Sequence, residues 1–174
     1  IKGHSPLTCE PLFAQKVITE SGEEALKMYA YEEFRGAVYS ILAILRQDEL
    51  IVNINIENPN DKEIYMYWWS NIAFEQNEYA RVFTPTNKSF ITSYRDGGYI
   101  ISKKSVPLVD GKDISYPKNA HGAIDYFYDI PKQNKKWIAC LGKNNTGLLQ
   151  FSDNTLIGRK LFLWGNITGG KHFN

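Results

Sequence analysis

The chain has 174 residues, of which 43% are hydrophobic and 22% charged, the balance of a folded globular protein and not of a disordered one. Twenty Lys and Arg against nineteen Asp and Glu leave a formal charge of +1, so no global field draws the chain to nucleic acid or to an anionic membrane. Aromatic residues make up 14%, and a composition led by Tyr, Phe and Trp favours strands over a helical bundle.

In chain order, "LFAQKVITE" from Leu12 and "EALKMYAYEE" from Glu24 are the first two β-rich runs. The second has short-helix propensity, but Tyr29 and Tyr31 alternate as strand residues do, and we read a strand. "AVYSILAILRQDELIVNINIENPND" reads as a hairpin around Gln47-Asp48-Glu49. In its second arm Val52, Ile54 and Ile56 alternate with Asn53, Asn55 and Glu57, so one face is apolar and the other carries amides. "NPND" at 58 to 61 supplies a turn, and "IYMYWW" resumes an extended pattern, predicting a further strand in meander order. Residues 85 to 121 look loop-rich, with "DGGY" at 96 to 99 a turn. Further strands are expected at "YIISKKSV", "DYFYDI", "WIACLG", "GLLQFSD" and "RKLFLWG". About ten short strands bounded by Gly, Pro, Asn or Asp predict an all-β antiparallel sandwich.

No internal repeat and no low-complexity linker divides the chain, which predicts one β-sandwich domain over residues 1–174. The start at Ile1 and the end at "GGKHFN" suggest a piece excised from a longer protein. No apolar run approaches the ~20 residues that span a bilayer, and residues 1 to 15 lack a signal-peptide layout, so we expect no membrane insertion and a cytoplasmic location. The sequons at Asn87, Asn144 and Asn166 matter only in a eukaryotic secretory route. Cys9 and Cys140 lie far apart and outside any CxxC spacing, and are expected to be reduced thiols.

Chemistry-bearing motifs are few. Neither GxGxxG nor GxxxxGK[ST] occurs, and His4, His121 and His172 show no ligand spacing, so no nucleotide cofactor and no metal are expected. There is no GxSxG. Glu57, Asp113, Asp125 and Asp129 are available for paired-carboxylate chemistry, or serve as turn and strand-edge charges. In "MYWWSNIAF" a strand would turn Trp68 and Ser70 one way and Trp69 and Asn71 the other, so one indole suits the core and the other a pyranose platform. Core packing of both is the alternative. In "LIGRKLFLWG" Arg159 presents a fork suited to carboxylates or vicinal hydroxyls, or else to main-chain carbonyls, and Trp164 closes the strand.

"ENPNDKEIYMYWWSNIAF", "RVFTP", "ISYPKNAHGAIDYFYDIP", "KWIACL" and "GRKLFLWGNITGGKHF", in that order, resemble the DUF5107 family of bacterial proteins of unknown function, over about residues 3 to 174. In that family the domain precedes tetratricopeptide repeats. The family is similar to the galactose mutarotases, which implies an antiparallel β-supersandwich, here a fragment of one, with sugars bound on its concave face. The resemblance puts the mutarotase histidine, the acid at the ring oxygen, within Trp69, Ser70 and Asn71, where this chain has none. That argues against mutarotation. The glutamate base of the superfamily belongs to a strand that would follow "GGKHF", and His172 is the candidate for a substitute acid.

These readings lead to a carbohydrate-recognising domain without a cofactor, its ligand held by Trp69, Asn71, Arg81, Tyr116, Asp125, Arg159, Trp164 and His172 on the amide-bearing face. Two alternatives stand beside it. One is a sugar- or glycoside-processing enzyme completed by a missing C-terminal part. The other is an interaction or scaffold module, with homodimers formed through exposed sheet edges.

Overall fold

A computed structural model describes residue 7, residues 10–66 and residues 68–168; the side chain of residue 145 is not described. Within that span the protein is all-β, with antiparallel sheets and only single turns of 3₁₀ helix. The one-domain expectation rested on the lack of a linker; the backbone groups into two compact units, Ile1–Ser70 and Asn71–Asn174.

The first unit is a four-stranded meander of β1 (Phe13–Ile18), β2 (Glu24–Glu32), β3 (Ala37–Arg46) and β4 (Glu49–Glu57), paired in that order. The Gln47-Asp48 hairpin is formed as expected, and the register opposes Ile41 to Ile54 and Leu42 to Asn53. Asn53 and Asn55 are exposed while Ile54 and Ile56 are half-buried, the alternation that the sequence shows. Gly36 closes the β2–β3 turn at a φ of +69°, where a side chain is disfavoured. The buried Glu32 carboxylate holds that turn by accepting the N–H groups of Phe34 (2.8 Å) and Arg35 (3.1 Å). Asn60, from "NPND", donates its amide to the carbonyl of Gly36 (3.0 Å).

The expected strand at "IYMYWW" is not formed. An extended run becomes a strand only where a neighbour supplies a ladder of carbonyls and amides, and no strand lies between Glu57 and Arg81 among the described residues. The alternation inferred for Trp68 and Trp69 therefore does not apply. Trp68 is half-buried and Trp69 more exposed.

The second unit holds two larger sheets and a ribbon. Its strands are β5 (Arg81–Phe83), β6 (Lys88–Arg95), β7 (Gly98–Ser105), β8 (Leu108–Val109), β9 (Lys112–Asp113), β10 (Ile124–Tyr128), β11 (Lys136–Leu141), β12 (Gly147–Ser152) and β13 (Arg159–Leu163). One sheet has the order β13-β10-β6-β7, another β12-β11-β5, and β8 pairs with β9. The region expected to be loop-rich thus contains the β6–β7 hairpin. Its turn places Asp96 and Gly97 at positive φ, the pair of left-handed residues that an Asp-Gly hairpin favours.

Tyr126, Tyr128 and Leu163 point inward and form a core with Val106, Val109, Ile114 and Ile130. Ile91, Ile124 and Leu161 of the four-stranded sheet and Ile138 of the three-stranded one pack against that core, so the two sheets share it as the layers of a sandwich. Burial pushes the Tyr128 phenol above its ordinary range. Where the sheets meet, Lys136 is only 2% exposed. Its ammonium donates to the carbonyls of Pro131 (2.5 Å) and Lys132 (3.3 Å).

Candidate functional site

In the four-stranded sheet of the second unit the inward residues alternate with Asp125 and Phe127 on β10, Lys160 and Phe162 on β13, Phe90 on β6 and Lys103 on β7, which share the outer face. The register sets Lys160, Phe127, Phe90 and Lys103 in one row across all four strands, two phenyl rings between two ammonium groups. Lys160 lies 5.7 Å from the Phe127 ring centroid and Lys103 5.3 Å from that of Phe90. Each lysine also holds a carboxylate: Lys160 with Asp125 at 3.0 Å and Lys103 with Asp129 at 3.2 Å.

Beyond the row, Phe162 stands opposite Asp125 and meets Trp164 edge to face at 4.8 Å. Phe127, Phe162 and Trp164 are 40%, 39% and 38% exposed. Large aromatics on an outward sheet face are the informative departure from ordinary burial. Asp125 lies on β10 and Asp129 one residue past its end, four residues apart, about 13 Å at the usual extended rise per residue. A glycosidase needs its two carboxyl groups about 5 to 9.5 Å apart. These two carboxylates are not spaced for that chemistry.

At the end of the β10–β13 pair the chain after Trp164 straps across the segment before β10. Gly165 adopts a φ of +75°, and a Cβ there would fall 2.5 Å from the backbone of Gly122. The Asn166 N–H then donates to the carbonyl of His121 (3.0 Å), and its side-chain amide to that of Lys118 (2.6 Å). Beneath this strap lies an open cleft of about 470 Å³ lined by Lys112, Asp113, Lys118, Asn119, His121 and Asn166, among others. An oxygen of Asp113 accepts from the N–H (2.9 Å) and hydroxyl (2.6 Å) of Ser115.

The residues expected to line a site fall into separate groups. Asp125 and Trp164 share the outer face of the β13-β10-β6-β7 sheet. Arg81 and Tyr116 stack on one another, the guanidinium 5.0 Å from the ring centroid, and Lys118 approaches the same ring at 5.9 Å. Arg159 is turned inward: its guanidinium donates to the carbonyls of Gly158 (2.7 Å) and Lys136 (2.7 Å) and to the Ser152 hydroxyl (2.8 Å), as a structural arginine does. Asn71 is exposed outside any strand, Trp69 belongs to the other unit, and His172 lies outside the described residues. None of the described seven is a residue of β4.

Sequence reasoning passed over Phe90, Phe127, Phe162, Lys103 and Lys160. The signal was present in "DYFYDI" and "RKLFLWG", whose alternation of aromatics with charges marks one wet and one dry face. No cluster of three or more His, Cys, Asp or Glu side chains able to hold a metal occurs among the described residues. Nor does any helix among them have the length and apolarity to cross a membrane. Cys140 is a free thiol whose pKa is raised by burial. Compared with known proteins, the chain matches no family model, no curated protein and no solved structure.

Proposed function

We propose that the protein is a carbohydrate-recognising β-sandwich domain whose platform is the outer face of the β13-β10-β6-β7 sheet. One observation carries the reading: three exposed aromatic rings and two Asp–Lys pairs share that face. Aromatic rings accept the C–H faces of pyranoses, and fixed carboxylate and ammonium groups orient hydroxyls. The supersandwich and mutarotase-like kinship suggested by the sequence belong to this proposal, and the all-β antiparallel architecture supports it. We extend it to a cytoplasmic location, the expectation drawn from the sequence.

The test is titration with a panel of saccharides, following intrinsic tryptophan fluorescence, with Phe162→Ala and Trp164→Ala as controls. Saturable quenching lost in both variants supports the platform. Absence of response to every saccharide, with near-ultraviolet circular dichroism unchanged, removes the proposal.

A second reading, an interaction module, rests on the first unit. The face of its sheet bearing Met28, Ile41 and Ile54 also carries Leu45 and Leu50, which are 74% and 63% exposed. Under this reading the outer strands β1 and β4 pair between two copies. Sedimentation that stays monomeric at all concentrations rejects it.

A further inference from the structure

We infer that the cleft beneath the 165–168 strap receives the acidic group, carboxylate or sulfate, of a charged saccharide lying along the platform. The inference rests on the platform reading and names its ligand class. Its first support is continuity. Trp164, on the platform, is joined to Asn166, on the cleft, through Gly165 alone, and Gly165 is seated against Gly122. A chain of sugar rings stacked along the aromatics runs on into the cleft.

Its second support is charge. The cleft contributes the ammonium groups of Lys112 and Lys118 against one carboxylate, Asp113, an oxygen of which is engaged by Ser115. Arg81 adds a further cation across the Tyr116 ring from which Lys118 also draws. Among the described residues no carboxylate lies within ion-pair distance of Lys112, Lys118 or Arg81, whereas the platform lysines Lys103 and Lys160 each have one. Exposed lysine heads lining an open polar cleft, with no paired carboxylate among the described residues, suit an anion supplied from outside. The neutral platform gives the sugar and the cleft selects its charge.

The experiment compares four probes of similar length on the 174-residue chain: a neutral maltooligosaccharide, an oligogalacturonate, a sulfated oligosaccharide and polyglutamate. Affinities are measured by calorimetry at low and high salt, for the native chain and the Lys112→Gln/Lys118→Gln double variant. Both side chains are exposed, so the substitutions leave the fold in place. We expect a charged saccharide to bind about ten-fold more tightly than the neutral one at low salt, the gap closing as salt screens the lysines. The double variant should bind charged and neutral saccharides alike, and the carboxylated and sulfated arms show which acid is favoured. Equal binding of neutral and charged saccharides by the native chain, or a charge preference that survives in the double variant, overturns the inference and leaves the platform standing. Polyglutamate binding as well as the charged saccharides also overturns it. Failure of every saccharide overturns the inference and the platform together.

Discussion

Replacing Gly165 by Ala tests whether the strap between platform and cleft is held as described. The new methyl group would sit 2.5 Å from the Gly122 backbone, about 1 Å inside normal carbon–carbon contact. A left-handed φ of +75° costs a non-glycine residue roughly 1 to 2 kcal/mol. Moving the strap outward by about 1 Å weakens the Asn166 and Ile167 N–H bonds to His121 (3.0 and 3.2 Å) and the Asn166 amide bond to Lys118 (2.6 Å), each worth about 1 kcal/mol net. With about half of each bond's contribution lost, these give a loss of about 3 kcal/mol, a drop of roughly 10 °C in the thermal midpoint. Urea unfolding of three variants side by side is the assay. Gly122→Ala meets only the tip of the flexible Ile167 side chain at 3.4 Å, and Gly158→Ala meets nothing within 4 Å, so both should stay within about 1 kcal/mol of the native chain. A Gly165→Ala protein as stable as Gly158→Ala would refute the strap geometry.

Other expectations follow from the same contacts. Arg159→Met strips the carbonyls of Lys136 and Gly158 of their donor and should cost about 3 kcal/mol in denaturant unfolding, with saccharide affinity of the folded fraction unchanged. Leu163→Ala opens a hole in the shared core and should cost about 2 to 5 kcal/mol in the same assay. Two hydrogen bonds from Arg46 and one from Ser21 hold the Glu23 carboxyl down from its ordinary 4.5 to about 2. A depressed carboxyl stabilises the fold above pH 4.5 and loses that contribution as pH falls towards 2. Thermal midpoints of the native chain and Glu23→Gln should therefore differ at neutral pH, converge near pH 2, and draw together in high salt.

Strands with strict alternation were legible in the sequence. Val52 to Glu57 is the clearest, because a period of two needs no knowledge of partners. β6 escaped notice because Lys88, Ser89, Thr92 and Ser93 dilute its apolar residues, although the Asp-Gly turn after it announces a hairpin. "MYWWSNIAF" misled in the other direction: composition suits a strand, but strandhood depends on a neighbour that the sequence does not reveal. At the site, Asp125 and Trp164 could be singled out as residue types, yet only the register brings them beside Phe127 and Phe162. The direction of Arg159 and the fit of Gly165 on Gly122 are tertiary facts, invisible to any local pattern.

Lys136, its ammonium held by the main-chain carbonyls of Pro131 and Lys132, makes the protein its own reporter. An amine-reactive label reaches the lysines at the surface within its own reaction time, but it reaches this one only when the second unit opens. The rate at which label accumulates at Lys136 itself, resolved by fragmentation from its exposed neighbour Lys135, therefore counts opening events directly. No dye or engineered probe has to be added to read that clock.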